Sequence, residues 1–292
     1  MKVQRLAKRL YTTAPASWVQ RLRARFRNRF PESEASVHAR LEREAYFGAR
    51  APFIQQAVER VAEGLSPEEA LKSPQAHAFD GKVVEYVYAA AWLQRQPSRE
   101  NVLDIGCLLR TRFMWQVIRR YCRHVWHCGP VFDHDALDGT AAHFQLFDFA
   151  RTFPNQEAFS LASCLGCLEH VGYASSLEGP SLPVTWREPA LDPVEDTLGR
   201  VARLVAAGGQ ILVSLPFGTR EVSSDVPGRH VPGQVFDRVA LERCLNLLVE
   251  AGFTTSTAVY VRSEAGWERG DQSQAPGPGA PAVVFVEGAR KG

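Results

Sequence analysis

The sequence predicts an α/β fold: a doubly wound, seven-stranded, mostly parallel sheet with one antiparallel edge strand, preceded by an N-terminal helical arm. From about residue 100 onward, short apolar runs alternate with segments of helical periodicity. That alternation is typical of a parallel sheet with helices on both faces. The last two apolar runs, 254–261 and 282–286, are joined by a loop rather than a helix, which indicates the antiparallel edge.

Composition narrows the class of protein before any motif is considered. The chain has 292 residues, of which 45% are hydrophobic and 23% charged, so a wholly disordered or fibrous protein is excluded. No run of about 18 uninterrupted apolar residues occurs, and we expect no transmembrane segment. The six cysteines lie mostly in apolar runs with no secretory signal before them, which is typical of reduced thiols. We therefore predict a cytoplasmic protein without a disulfide scaffold.

Residues 1–30 form a basic arm. They hold nine of the 34 lysines and arginines and none of the 32 acidic residues. Apolar residues recur in it at helical spacing, on both sides of Pro15: Val3, Leu6 and Leu10, then Trp18, Leu22, Phe26 and Phe30.

Three interpretations of this basic arm remain open. Its helices either lie on an anionic membrane surface as a peripheral contact or pack their apolar side on the rest of the protein. The composition also matches a mitochondrial transit peptide. We expect no nucleic-acid partner, because the acidic remainder of the chain opposes a phosphate backbone and no DNA or RNA module is present.

The first half of the chain is predicted to be mainly helical. Helical periodicity covers about residues 32–71, where Ser66 and Glu69 have the spacing of a capping box. A second helix over 82–94 is ended by Pro97. We divide the chain into a basic arm with a helical segment, 1–79, and an α/β domain, 80–292.

The α/β domain begins with the run NVLDIGC at 101–107, which closes on a glycine as a buried parallel strand does when it enters a turn. A helix over 235–251 is stopped by Gly252, and a loop rich in glycine and proline, 275–281, precedes the last strand. The other predicted elements are, in order, a helix at 111–121, strands at 124–128, 143–147 and 159–165, a helix at 193–205 and a strand at 210–215.

Four short motifs follow one another at spacings that suggest a known family: Val102–Cys107 (VLDIGC), Leu168–Gly172 (LEHVG), Ala207–Gly209 before an apolar strand, and Gly252–Phe253. With them, residues 80–287 resemble the class I S-adenosylmethionine-dependent methyltransferases, with a degenerate glycine-rich cofactor loop. The resemblance implies a Rossmann-like fold and S-adenosyl-L-methionine as cofactor. Val84–Tyr86 and Glu169–Tyr173 also resemble a bacterial subgroup associated with glycan and secondary-metabolite pathways.

The cofactor loop follows the first strand. Gly106 lets backbone N–H groups approach a ligand, because it lacks a Cβ and tolerates positive φ. The family continues with glycines, whereas this chain has Cys107, Leu108 and Arg110 at or near the cofactor. Arg110 either pairs with the methionine carboxylate, faces outward, or belongs to a loop that has lost its ligand.

The resemblance implies further cofactor-binding residues. Asp104 lies in an apolar strand and must find a partner; it orients the loop or reaches the cofactor's amino group. Asp133 is the candidate for the ribose hydroxyls, unless it caps a turn. Asp148 and Phe149 stand where the family places residues beside adenine. Leu165, at the end of the fourth strand, completes this predicted set.

Glu169 and His170 follow the fourth strand at its carboxyl end, where open α/β sheets bind ligands. A histidine there can accept the proton of a hydroxyl as the methyl group transfers, so His170 is the candidate general base with Glu169 beside it. Alternatively, the two side chains bond to each other and fix the loop. Ubiquinone-pathway O-methyltransferases resemble this stretch but bind a metal through a glutamate where this chain has Gly166, so we predict no metal site.

Several other residues resemble functional motifs but also have an ordinary structural explanation. Cys164 and Cys167 form a C-x-x-C motif, but no second pair at zinc-ribbon spacing follows. We expect both cysteines to act as small buried hydrophobic residues. The histidines at 124, 127 and 134 crowd one segment with Cys128 without making a metal motif. Two long loops, 173–191 and 217–233, suit a substrate lid, in which Arg220, Arg229 and His230 either contact an anionic or sugar substrate or are solvated.

These observations support two functions. The first is a methyltransferase, an O-methyltransferase by preference, that acts on a hydroxyl or carboxylate of a glycan or small metabolite. The second is a pseudo-methyltransferase that has lost the cofactor and serves as a binding or scaffold protein. Leu108 and Arg110 favour the second, whereas Asp104, Asp148, Glu169 and His170 favour the first.

Overall fold

The computed structural model describes residues 34–97, 100–106, 112–128, 142–144, 159–171, 192–219, 222–223, 233–271 and 282–292. The chain divides into two compact units, Met1–Gly48 and Ala49–Gly292. The predicted boundary between residues 79 and 80 differs from this division. It stays a prediction, because a division by contacts does not measure which segments fold independently.

The helices begin and end close to the predicted positions, although the segment predicted as one helix over 32–71 is divided. The capping box at Ser66 and Glu69 is confirmed: the Ser66 side chain accepts from the Glu69 N–H, and the Glu69 side chain accepts from the Ser66 N–H. It starts a separate short helix. The described helices are α1 (Glu34–Ala62), α2 (Pro67–Leu71), α3 (Pro74–His77), α4 (Lys82–Arg95), α5 (Arg112–Tyr121), α6 (Asp192–Leu204) and α7 (Arg238–Glu250).

Eight of the described strands form one sheet, and two more form a small hairpin. The strands are β1 (Asn101–Gly106), β2 (His124–Cys128), β3 (Ala142–Phe144), β4 (Phe159–Leu165), β5 (Val205–Phe217), β6 (Val222–Ser223), β7 (Gly233–Gln234), β8 (Phe253–Ser263), β9 (Gly266–Gly270) and β10 (Ala282–Arg290). The order in the sheet is β3-β2-β1-β4-β5-β10-β8-β9. From β3 to β5 the strands are parallel, and β10 runs antiparallel to both neighbours. The predicted α/β class with a mostly parallel sheet is confirmed.

The antiparallel end of the sheet differs from the prediction in one respect. β10 lies between β5 and β8, and the sheet continues through β9, which pairs with β8 as a hairpin. The sequence of β9, GWERG, is short and bounded by glycines, so it lacks the apolar alternation that marks a strand. β10 is therefore enclosed in the sheet, and β9, which is antiparallel to β8, forms the edge.

Helices cover both faces of the sheet. Tyr88 of α4 stacks on Phe285 of β10, with ring centroids 4.0 Å apart. The preceding residue of the same strand, Val284, belongs to the hydrophobic core that includes Leu198 of α6 and Leu241 of α7. Because successive strand residues point to opposite faces, α4 lies on one face and the α6–α7 pair on the other. The sheet is thus doubly wound, as predicted.

Candidate active site

The strand order reverses at β1, which has β2 on one side and β4 on the other. In doubly wound sheets, ligands bind in the crevice outside the carboxyl ends of the two strands at such a switch point. β1 ends at Gly106 and β4 at Leu165, and these two residues are paired in the sheet. The structure therefore places two predicted cofactor residues side by side at this crevice.

Gly106 is required by the packing of the protein itself. Its φ is 108°, a left-handed conformation that residues with a side chain rarely adopt. A Cβ at this position would lie 2.5 Å from the Leu165 carbonyl oxygen and 2.8 Å from Cys167 Cβ. The end of β1 thus lies directly against the segment that follows β4, and this contact accounts for the glycine without a ligand.

The partners predicted for the buried Asp104 carboxylate are found on the two neighbouring strands. The Ser163 hydroxyl of β4 donates to Oδ1 over 2.9 Å, and His127 Nδ1 of β2 lies 2.7 Å from Oδ2. Both partners are directly opposite Asp104 in the register of the sheet. Since each carboxylate oxygen has a protein contact, the geometry favours orientation of the strand ends over a direct contact with a cofactor.

Glu169 and His170 lie on a single 3₁₀ turn, Leu168–His170, that follows β4. The Glu169 side chain is 7% exposed and that of His170 is 41% exposed. His170 Nε2 is 3.6 Å from Glu169 Oε1, which is an ion-pair distance when the imidazole is protonated and too long for a hydrogen bond. The two predicted catalytic residues are therefore adjacent, with the carboxylate buried and the imidazole open to solvent.

A lysine on α4 contacts Glu169 from the side. Lys82 Nζ donates to Glu85 Oε2 over 2.8 Å and lies 3.5 Å from Glu169 Oε1. The ammonium lies against Gly166, where an added Cβ would be only 1.6 Å from it. Gly166 therefore makes room for Lys82 between the two carboxylates.

Ser214 of β5 completes this charged cluster. Its hydroxyl donates to Glu85 Oε1 over 2.8 Å and accepts the Gly166 N–H over 3.1 Å. Glu85 and Ser214 are buried, with 4% and 0% exposure. The cluster of Lys82, Glu85, Glu169 and Ser214 therefore joins α4, β5 and the segment after β4.

Lys82 is the cation next to two buried carboxylates, and the pKa values of Glu85 and Glu169 are shifted in opposite directions. Burial raises the pKa of Glu85, against the effect of Lys82, and the negative charge of Glu169 raises it further. Burial would also raise the pKa of Glu169, but the charges of Lys82 and His170 and hydrogen bonds hold it below its ordinary value. The geometry thus favours an ionised Glu169 beside a Glu85 that retains its proton more readily.

Sequence reasoning missed the residues that support the site: Lys82, Glu85, His127, Ser163 and Ser214. A glutamate inside the apolar helix 82–94 was the available signal, because a buried carboxylate requires a cation or hydrogen-bond donors. Ser163 and His127 lie opposite Asp104 in the sheet, so a correct strand register would have identified them.

Several predicted site residues fall outside the described part of the chain: Cys107, Arg110, Asp133, Asp148 and Phe149, together with Arg220, Arg229 and His230 of the predicted lid. Their roles stay predictions. Within the residues that the structure describes, no group of three or more His, Cys, Asp or Glu side chains is arranged to hold a metal ion. None of the described helices is long and apolar enough to cross a membrane.

One observation tests whether this site fits S-adenosylmethionine. Glu169 Oε2 is buried and accepts no hydrogen bond from any described residue. A buried acceptor without a donor is costly, so it fits a ligand that supplies N–H or O–H groups. The ammonium and the amino group of S-adenosylmethionine are such donors.

No protein-family model matches the sequence, and no curated protein matches it. Solved structures of methyltransferases do match. The S-adenosylmethionine-dependent methyltransferase from Mesorhizobium loti has a TM-score of 0.47 and 13% identity, over 70% of this chain and 97% of that chain. N-methyltransferase NodS from Bradyrhizobium japonicum WM9, in complex with S-adenosylhomocysteine, has a TM-score of 0.45 and 12% identity, over 81% and 98%.

A third match is 1,6-didemethyltoxoflavin-N1-methyltransferase from Burkholderia thailandensis, with bound 1,6-didemethyltoxoflavin and S-adenosylhomocysteine. Its TM-score is 0.44 and its identity 18%, over 70% of this chain and 77% of that chain. The chain is thus similar to S-adenosylmethionine-dependent methyltransferases in its motifs and, at low identity, to solved structures of such enzymes.

Proposed function

We propose that the protein is an S-adenosylmethionine-dependent O-methyltransferase that acts on a hydroxyl or carboxylate of a glycan or another small metabolite. The observation that carries this proposal is the turn Leu168–His170 at the switch point of the sheet. It holds a buried glutamate with one oxygen without a donor among the described residues, and next to it an exposed histidine. An exposed base beside a ligand crevice suits proton removal from a bound hydroxyl.

The cofactor would lie in the crevice at the ends of β1 and β4, and would supply a methyl group on a sulfonium. Gly106 and Leu165, which are paired in the sheet, would line this crevice, and Asp104 would hold the strand ends in register through Ser163 and His127. The sequence adds Cys107, Arg110, Asp133, Asp148 and Phe149 as the remaining cofactor-binding residues. Glu169 Oε2 would accept a hydrogen bond from a donor of the ligand.

His170 and Glu169 would have different roles in the reaction of the methyl acceptor. His170 Nε2 would accept the hydroxyl proton, and the ionised Glu169 carboxylate, 3.6 Å away, would stabilise the imidazolium that results. A carboxylate acceptor has no proton to lose at neutral pH, so His170 would then bind and orient it. Most of the rate enhancement would come from proximity and orientation of the two reactants.

The alternative, a pseudo-methyltransferase that works as a binding or scaffold protein, has one observation in its favour. Gly106 and Asp104 are both explained by contacts within the protein, so a chain that had lost its cofactor would keep them. Glu169 is different, because its buried Oε2 has no hydrogen-bond partner among the described residues, and a buried acceptor left unpaired has a free-energy cost. This cost favours the enzyme over the scaffold.

Calorimetric and thermal-shift titrations of the full chain with S-adenosylmethionine and S-adenosylhomocysteine test the proposal. At 100 times its Kd a specific ligand stabilises the folded state by about 2.7 kcal/mol. Arg110→Ala is expected to weaken binding, whereas Arg120→Ala, an exposed arginine of α5, is the matched control. Absence of binding by both methods would overturn the enzyme and support the scaffold.

The basic arm, residues 1–30, is proposed as a peripheral membrane contact of a protein that resides in the cytoplasm. Each Lys or Arg near an anionic bilayer contributes about 1 kcal/mol, and salt screens this attraction. The full chain is expected to sediment with phosphatidylserine vesicles at low ionic strength, and a chain without residues 1–30 is not. Equal sedimentation of the two would refute this role, and import of the chain by isolated mitochondria would support a transit peptide instead.

A further inference from the structure

The two cysteines of the C-x-x-C segment are in contact. Cys164 Sγ and Cys167 Sγ are 3.2 Å apart. Cys164 belongs to β4, and Cys167 precedes the turn Leu168–His170. Gly166 lies between them with φ of 57°, so the chain reverses there and brings both thiols to the same side.

The two sulfurs are in non-bonded contact, which is close enough for a bond to form after a small movement. A disulfide has an S–S length of about 2.05 Å, so the sulfurs would have to approach by only about 1 Å. The two thiols also differ in access: Cys164 is fully buried, whereas Cys167 is partly exposed. A reagent in solution therefore reaches Cys167 first.

We propose that Cys164 and Cys167 form a reversible dithiol–disulfide pair that is oxidised by exchange with a low-molecular-weight disulfide. The Cys167 thiolate attacks one sulfur of the reagent RSSR, which forms a mixed disulfide and releases one thiolate RS⁻. The Cys164 thiolate then attacks Cys167 Sγ and releases the second RS⁻. The two released thiolates take up the two cysteine protons, so the products are one protein disulfide and two RSH.

Formation of this bond would change the candidate active site. Cys167 packs against Gly106, and its carbonyl accepts the His170 N–H over 3.0 Å. Movement of Cys167 toward Cys164 would therefore shift the turn that carries Glu169 and His170, and would loosen the contact at the end of β1. This consequence for the site rests on the proposed function, whereas the disulfide itself does not.

The other described cysteines provide internal controls. Cys122 and Cys244 are buried, and burial, with the charge of Glu195, raises the pKa of Cys244 to about 12. Neither forms a disulfide in the described part of the chain, and we expect both to remain reduced. The thiolate is the reactive form, so a buried thiol with a raised pKa reacts slowly.

Mass spectrometry of the full chain tests the pair directly. The protein is equilibrated with mixtures of reduced and oxidised glutathione, quenched with N-ethylmaleimide under denaturing conditions and digested with trypsin. The tryptic peptide 152–187 contains Cys164 and Cys167 and no other cysteine. Oxidation is expected to remove both maleimide adducts from this peptide and to leave it two hydrogens lighter than the dithiol form, while the Cys244 peptide keeps its adduct.

Single variants distinguish the two thiols. Cys164→Ala is expected to trap glutathione on Cys167, and Cys167→Ala is expected to leave Cys164 reduced. Persistence of both maleimide adducts in the wild-type peptide at every glutathione ratio, or a link from Cys167 to Cys107 or Cys128, would overturn the proposal. The wild-type result requires no variant to fold.

A second readout connects the pair to the active site. If the reduced chain binds S-adenosylmethionine, oxidation is expected to weaken that binding, dithiothreitol to restore it, and Cys167→Ala to abolish the difference. If the reduced chain does not bind, the proposed function fails and the mass measurement still decides the disulfide. Affinity that is the same before and after complete oxidation would overturn the coupling to the site.

Discussion

At the scale of single residues, Glu169 combines a buried position with a negative charge. A carboxylate on a side chain that is only 7% exposed is destabilising unless a cation and donors surround it. Lys82 supplies the cation for both Glu169 and Glu85. Its Nζ is 3.5 Å from Glu169 Oε1 and 2.8 Å from Glu85 Oε2. Lys82, His170 and hydrogen bonds nevertheless hold the pKa of Glu169 below its ordinary value, so its negative charge is retained beside His170.

His170→Ala is expected to lower turnover by about 100-fold or more, because general-base catalysis contributes a factor of this size. The measurement is the rate of S-adenosylhomocysteine formation with the best acceptor from a panel of saccharides and hydroxy acids. Affinity for S-adenosylmethionine should not change. His77→Ala, which alters another exposed histidine, is the control. Wild-type turnover in His170→Ala would make His170 a structural residue.

Glu85→Gln is expected to change how stability depends on pH. The pKa of Glu85 is raised in the folded state above the ordinary value of 4.5. Its protonated form therefore contributes stability fully below about pH 4.5, and this contribution is lost as pH rises through the raised pKa. The glutamine variant has no such loss, so its stability relative to wild type should increase from pH 4.5 upward.

Urea unfolding at several pH values measures this difference. The depressed pKa of Glu169 acts in the opposite direction, with stability lost as pH falls, but Glu169 is present in both proteins. Glu250→Gln, which alters an exposed glutamate at the end of α7, is the matched control. A difference in stability between Glu85→Gln and wild type that does not change with pH would contradict the raised pKa of Glu85.

At the scale of elements, three neighbouring strands are joined by one carboxylate. Asp104 on β1 contacts His127 on β2 and Ser163 on β4. These contacts lie near the carboxyl ends of the strands, next to the crevice. Polar contacts inside an otherwise apolar sheet disfavour a shifted register, because a slip by one residue would separate the partners.

Ser163→Ala is expected to destabilise the fold by about 1–3 kcal/mol, because it removes a donor from a buried carboxylate. Ser160→Ala is a matched control on the same strand: its hydroxyl bonds the main chain of Asn101 and is only partly buried. The change for Ser160 should be smaller. Chemical denaturation measures the free energy of unfolding of both variants. Equal losses would show that the hydrogen bond from Ser163 to Asp104 contributes no more than that of Ser160.

The elements show what the sequence can and cannot predict. β1 and β4 were predicted to within one residue and α7 to within three, because Gly106 and Gly252 mark ends and the apolar periods are clear. β9 was missed, since a five-residue strand that begins and ends with glycine is too short to show an apolar alternation. The cluster of Lys82, Glu85 and Ser214 was missed because it joins residues far apart in sequence, and only the packing of α4 against the sheet brings them together.

At the scale of the molecule, residues 66–77 belong to the sheet domain by their contacts. Lys72 forms a bridge with Gly266, where a Cβ would lie 2.7 Å from the Ser73 carbonyl oxygen. His77 Nδ1 lies 2.7 Å from the Ser263 carbonyl oxygen. The short helices α2 and α3 therefore pack on the β8–β9 hairpin.

A chain that starts at residue 80 should consequently lose cooperative thermal unfolding, whereas one that starts at residue 49 should retain it. Calorimetry and circular dichroism on the two truncated chains provide the test. Two-state unfolding of the shorter chain would support the predicted boundary at residue 80.

The position of α2 and α3 has a consequence for solubility. An edge strand exposes main-chain N–H and C=O groups that can pair with another chain, and natural proteins cover, shorten or charge such edges. β9 is short, carries Glu268 and Arg269 on exposed positions, and is partly covered by the segment at Lys72. This segment therefore protects the protein against edge-to-edge aggregation, in addition to stabilising the hairpin on which it packs.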